Sequence, residues 1–183
     1  MWIVDNFLPP SLFNDIQKLV MGERIQWVFS PNATSLDSPD EFYFVHRVFT
    51  PYAPDLKHAA LEQPEHVSPF FHDIKPILYF LDDRLKFMVD RLIRINCTLC
   101  TNQGVAKSQD MHTDFPFPHY TGIFYVNTNN GPTIVEDYRV DSVANRFVLF
   151  DGLKPHCASL QDDTQGRFNI VFNMQGHFRQ INS

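Results

Sequence analysis

Glycine is scarce in this chain of 183 residues: there are 7, against 13 Pro and 18 Phe. No glycine-rich loop able to cradle a phosphate occurs, and strand and helix patterns do not alternate. The signature of a nucleotide-binding α/β fold is therefore missing. Cysteine is also rare. Three Cys in a chain of cytosolic character do not make a disulfide framework, so the Asn32-Ala33-Thr34 sequon carries no weight. Positive charge is in deficit, with 15 Lys and Arg against 21 Asp and Glu, a net −6. Non-specific nucleic-acid binding needs a positive field, so no nucleic-acid partner is expected, although a local basic groove stays compatible. No apolar run approaches the roughly 18 residues of a membrane span. Met1-Trp2-Ile3-Val4-Asp5 lacks the basic and apolar regions of a signal peptide. The expectation is a cytoplasmic protein without a membrane partner; oligomeric state is not legible.

What is present is ordinary globular composition, 44% hydrophobic and 20% charged. The length suits one domain over 1–183, with helices and strands of residues 1–90 supporting a β core over 91–178. Residues 1–6 read as a strand. Pro9 and Pro10 open a helix to about Val20, with Leu12, Phe13, Ile16, Leu19 and Val20 as its apolar stripe and Gly22 as its stop. Arg24–Phe29 and Phe42–Phe49 read as strands. A further helix is predicted from Ser68 to Leu81, kinked or delayed by Pro76. Short β runs follow: Asp90–Thr101, Tyr120–Asn127, Thr133–Val135, Arg146–Phe150, His156–Leu160 and Arg167–Gln175. Asn102-Gln103-Gly104, Asn129-Asn130-Gly131-Pro132 and Asp163-Thr164-Gln165-Gly166 read as the turns between them. Many short strands after a helical part predict a mainly β sandwich or barrel with flanking helices. Phe124, Phe147, Phe150, Phe168 and Phe172 are expected to fill it.

Of the eight His, two form a pattern with chemical content. His112-Thr113-Asp114 sits at the mouth of the β region. On an extended chain, residues i and i+2 share a face, so an imidazole and a carboxylate can reach one metal ion. His156 opens a later strand after the Phe150-Asp151-Gly152 turn, and Arg167 begins the last long strand. Two His and one carboxylate on one face of a metal are diagnostic of non-heme Fe(II) oxygenases. A deep Arg could hold a distal carboxylate through a bidentate, charge-assisted pair.

The order His112-Thr113-Asp114, Phe124-Tyr125-Val126-Asn127, Asn130-Gly131-Pro132-Thr133, Asn145-Arg146-Phe147, His156 and Arg167 resembles the Fe(II)/2-oxoglutarate-dependent dioxygenases. It looks most like their prolyl-4-hydroxylase-like branch, including its small bacterial and phage members. Val4-Asp5-Asn6-Phe7-Leu8-Pro9-Pro10 is similar to the opening of such domains. The resemblance implies a double-stranded β-helix of the jelly-roll or cupin type. It implies His112, Asp114 and His156 as metal ligands and catalytic centre. It also implies that Arg167 pairs with the distal carboxylate of 2-oxoglutarate, with Tyr125 on the same carboxylate and Asn169 beside it. Ile123 and Asn127 would share the inward face of Tyr125, and Asn169, Val171 and Asn173 that of Arg167. Cys100 stands where relatives often carry Tyr, and Asn169 where many carry Ser.

The implied activity is hydroxylation of a peptidyl residue or small molecule, using Fe(II), 2-oxoglutarate and O2, with release of succinate and CO2. Ascorbate is a further candidate reductant. The segments 30–41, 50–67 and 102–111 are candidate lids over such a site. Two other functions use the same residues: a non-catalytic β-helix binding module, and a zinc hydrolase with the same two His and one Asp. The hydrolase would need a general base, for which Glu136 and Asp137 are the acids to hand. Cys97 and Cys100 match C-x-x-C, but on a strand their sulfurs diverge. Cys157 is expected to pack as a small apolar residue. His46, His58, His66, His72, His119 and His177 read as structural or solvated. Phe115-Pro116-Phe117-Pro118 suits either core packing or the wall of a substrate mouth.

Overall fold

A computed structural model describes residues 1–31, 42–53, 55–56, 65–101 and 109–180. The candidate lids fall largely outside these residues, so they have no structural account. Eleven strands and three short helices make up the described elements. The strands are β1 (Trp2–Val4), β2 (Val28–Ser30), β3 (Tyr43–Thr50), β4 (His66–Val67), β5 (Phe87–Thr101), β6 (Tyr120–Tyr125), β7 (Asn129–Val135), β8 (Tyr138–Ser142), β9 (Arg146–Asp151), β10 (His156–Ala158) and β11 (Gly166–Phe178). The helices are α1 (Pro10–Met21), α2 (Phe71–Ile74) and α3 (Tyr79–Leu85), with a 3-10 turn at Lys75–Leu78 between the last two. Among the described residues no helix is long and apolar enough to cross a membrane.

The strands form two antiparallel sheets. The larger runs β1-β9-β6-β11-β5-β3-β2, with β4 paired to β3; the smaller runs β10-β7-β8. Facing sheets of this kind make the double-stranded β-helix that the sequence predicts. Strand alternation divides the large sheet into two faces. Residues Phe124, Phe147, Ile170, Phe172 and Met174 pack outward against Ile16, Leu19, Ile74, Ile77 and Leu81 of the helical layer. Ile123, Tyr125, Val148 and Phe150 face inward, toward Val135 and Val140 of the small sheet. The expected Phe filling is thus corrected. Only Phe150 of the five lies between the sheets; Phe124, Phe147 and Phe172 belong to the helix-side core, and Phe168 packs against it.

Three other expectations change. Asn129–Pro132 is the first half of β7, not a turn, and the β7–β8 register is irregular between Asn129 and Thr133. That irregularity accommodates Pro132, which cannot donate to a ladder. The strand expected at Arg24–Phe29 is confined to Val28–Ser30. The helix expected over 68–81 is three short pieces ending at Leu85. Pro76 sits in the 3-10 turn, where its missing N–H does least harm.

Candidate metal centre and cavity

Backbone pairing brings the two histidines together. His112 and His156 exchange both backbone hydrogen bonds, at 3.0 and 2.9 Å, and Gln109 N–H donates to Ala158 O nearby. Directly paired residues project to one side, and the two imidazole centroids lie 4.8 Å apart. His112 Nδ1 meets Asp110 O at 3.2 Å, and His156 Nδ1 meets Lys154 O at 3.1 Å. A carbonyl only accepts, so both Nδ1 atoms carry a proton, and in the neutral ring Nε2 is then the nitrogen with the lone pair.

Asp114 completes the group: one ligand atom from each of the three residues lies within 4.8 Å of the others. Its carboxylate is held by one cross-strand row of the large sheet. Asn173 on β11 is opposite Arg94 on β5 and Thr121 on β6. Arg94 Nη2 donates to Asp114 Oδ1 at 2.5 Å, and Asn173 Nδ2 donates to Oδ2 at 2.8 Å. Asp114 Oδ2 is 3.6 Å from His156 Nε2. Burial pushes the Asp114 carboxyl up, but the charge of Arg94 and the hydrogen bond from Asn173 outweigh it. The group is held well below the ordinary carboxylate range. Burial lowers His112, which favours its neutral, ligating form.

The same row pattern leads down the cavity. Asn96, Thr98 and Cys100 follow Arg94 on the inner face of β5, opposite Val171, Asn169 and Arg167. The cavity measures about 360 Å³ and runs from the His-Asp-His group to Arg167. Arg167 is only 3% exposed. Its Nε donates to Gly131 O at 2.9 Å and its Nη2 to Thr133 Oγ1 at 2.8 Å. With its oxygen turned to the guanidinium, the Asn169 amide accepts from Nη1 at 2.6 Å. No carboxylate lies within ion-pair distance of Arg167 among the described residues. A buried cation lacking a counter-ion is costly, and an anion entering the cavity would relieve that cost.

Tyr125 is fully buried and stands behind this end of the cavity. Its hydroxyl donates to Thr133 Oγ1 at 2.7 Å, so it reaches the cavity through Thr133. Cys97 lies in the helix-side core and Cys100 in the cavity wall, so the C-x-x-C sulfurs diverge. All three Cys are buried, and none is joined in a disulfide. No motif in the sequence singles out Arg94 or Thr133 as a site residue. Arg94 could have been found from the period-two run Ile93-Arg94-Ile95-Asn96-Cys97-Thr98, which puts three polar residues on one face.

Compared by sequence, the chain matches no protein-family model and no curated protein. Compared by structure, it resembles an oxidoreductase of the 2-oxoglutarate–Fe(II) oxygenase family from Burkholderia pseudomallei, at TM-score 0.67 and 11% identity over 94% of this chain and 84% of that one. A prolyl hydroxylase from Trichoplax adhaerens, solved with a hypoxia-inducible-factor peptide, superposes at TM-score 0.59 and 16% identity, covering 94% and 82%. The α-ketoglutarate-dependent epimerase SnoN of nogalamycin biosynthesis gives TM-score 0.58 and 14% identity, covering 97% and 79%. At these identities the likeness is one of fold.

Proposed function

We propose that the protein is an Fe(II)- and 2-oxoglutarate-dependent oxygenase that hydroxylates a small-molecule or peptidyl substrate. One observation carries this reading: a two-His, one-carboxylate group and a buried, uncompensated Arg lie at opposite ends of a single cavity. The donor set fits the metal, since two imidazoles with Nδ1 fixed on carbonyls, leaving Nε2 to ligate, and one carboxylate are the ligands an Fe(II) oxygenase uses. His112 Nε2, His156 Nε2 and Asp114 would hold it. When bound, Fe(II) supplies the redox chemistry by which O2, 2-oxoglutarate and a substrate C–H become succinate, CO2 and C–OH.

The chain's own residues do the rest. Arg167 binds the distal carboxylate of the co-substrate, and Asn169 orients its guanidinium. Thr133 Oγ1 already accepts from Arg167 and from Tyr125. Its own proton is therefore free to donate to the same carboxylate, with Tyr125 as the residue that orients it. Residues 1–183 are taken as one domain, acting in the cytoplasm on a substrate that is not nucleic acid.

The zinc-hydrolase alternative finds no base among the described residues. Of those lining the cavity, Asp114 is the only acid, and Glu136 is exposed and paired with Lys154 at 2.7 Å. The test is succinate formation from 2-oxoglutarate with Fe(II), together with anaerobic binding of both. Wild type should bind both, and His156→Ala should lose the metal. Absence of binding in wild type would refute the proposal.

A further inference from the structure

Resting on that oxygenase reading, we infer that Arg94 is a positioning residue that restricts Asp114 to metal binding through one oxygen, leaving a coordination position for 2-oxoglutarate. A carboxylate can offer a metal either one oxygen or two. Two would consume a position that a chelating 2-oxo acid needs. Here the two oxygens are differentiated before any ligand arrives. Oδ2 faces the histidines, 3.6 Å from His156 Nε2, whereas Oδ1 is turned to Arg94 Nη2 at 2.5 Å.

Arg94 is itself fixed on three sides. Its Nε donates to Asn173 Oδ1 at 3.0 Å, and its guanidinium lies over the Phe115 ring, 4.8 Å from the centroid. Its backbone belongs to β5, locked in register with Asn173 of β11. Asn173 then donates its other amide group to Asp114 Oδ2 at 2.8 Å, closing a ring of three residues around the carboxylate. The Arg94 and Asp114 side chains are 19% and 14% exposed, so water competes weakly for this charge-assisted pair. Rotating Asp114 to present Oδ1 to a metal would break it. Holding both partners takes the fork of the guanidinium, since one arm holds Asn173 and the other holds Asp114. A lysine ammonium carries the charge without that geometry.

The probe is Mn(II), with 2-oxoglutarate added separately, on the full chain. Water-proton relaxation of bound Mn(II) reads how many positions remain open to water, and titration gives both affinities. Wild-type binding of Mn(II) and then 2-oxoglutarate establishes the parent reading; absence of Mn(II) binding overturns that reading and the inference with it. Given binding, Arg94→Met should hold Mn(II) within about threefold of wild type. It should show lower relaxation enhancement and bind 2-oxoglutarate about tenfold or more weakly, the scale of outer-shell effects at metal sites. Arg94→Gln keeps most of the stem volume and serves if the Met variant does not fold; it should shift the same way. Arg94→Lys should recover part of the relaxation enhancement. Equal loss of Mn(II) and 2-oxoglutarate binding would make Arg94 mere structural support. Unchanged relaxation and unchanged 2-oxoglutarate affinity would show that it does not direct Asp114. Either result overturns the inference while leaving the oxygenase reading intact.

Discussion

His119 shows how tightly single residues are specified around the cavity. It is 4% exposed, its Nδ1 bonds Phe117 O at 2.8 Å, and burial lowers its pKa. An imidazole that resists protonation in the fold takes a proton more readily when unfolded. Stability is therefore complete above the unfolded value of about 6.5 and is lost as pH falls from there toward the lowered folded value. The Tm of the metal-free protein should drop between pH 7.5 and 5.5, and His119→Gln should shrink that drop; an unchanged slope would assign it to other groups. Gly152 lies against the same ring, where an added Cβ would sit 2.1 Å from His119 Nε2. Gly152→Ala should cost about 1–3 kcal/mol by overpacking, read as a Tm lower by several degrees. At the far end of the cavity, Arg167→Met should weaken 2-oxoglutarate binding about 10- to 100-fold, the worth of a charged hydrogen-bonded contact. Arg167→Lys should recover little of it. His112, Asp114, His156 and Arg167 were legible because their chemistry is unusual at fixed order along a β chain. Arg94, Thr121 and Asn173 were not read as one group because they come together only through cross-strand register, which spacing in the sequence does not reveal.

Asn145 links elements distant in sequence. It has φ 61°, in the left-handed region. Its side chain makes a reciprocal pair with the backbone of Leu8: Leu8 N–H donates to Oδ1 and Nδ2 donates to Leu8 O, both at 2.9 Å. This clamp fixes the segment entering α1 against the turn entering β9. Asn145→Ala removes two buried hydrogen bonds and leaves a residue that tolerates the left-handed region less well than Asn, at a cost of about 2–4 kcal/mol. Asn145→Gly should be the milder change, because it relieves the backbone term; if Gly is as damaging as Ala, the side-chain bonds alone matter. Elements with strong periodicity were readable in advance: α1 from its apolar stripe, and β5, β6, β9 and β11 from their apolar and alternating runs. β8 escaped notice. Tyr138-Arg139-Val140-Asp141-Ser142 buries only Val140 and Ser142, so it reads as a polar connection until its pairing with β7 is known. The first half of β7 reads as a turn because Asn-Asn-Gly-Pro is turn chemistry, whereas tertiary pairing extends it; its second half, Thr133–Val135, reads as the strand it is.

The molecule as a whole carries net charge −6, yet among the described residues its cavity is lined by two Arg and a single acid. Global charge and site charge have opposite signs, so the proposed anionic co-substrate would meet a locally positive field. The helical layer and the metal centre also lie on opposite faces of the large sheet, which makes their coupling a question of cooperativity. β1, β2 and β3 from the first third of the chain are strands of the same sheet as β5, β6, β9 and β11. Phe7, fully buried, stacks on Phe147 of β9 with ring centroids 4.6 Å apart and packs near Phe80 and Phe124. No layer of this arrangement keeps its core without the other. Urea unfolding should then be a single transition, with Trp2 and Trp27 fluorescence, both reporting on the N-terminal part, coinciding with the far-ultraviolet signal of the sheets. Phe7→Ala should move both curves together by about 3–5 kcal/mol while leaving the metal affinity of the folded protein unchanged. Separated transitions would instead divide the chain into an N-terminal unit and a β core that unfold independently.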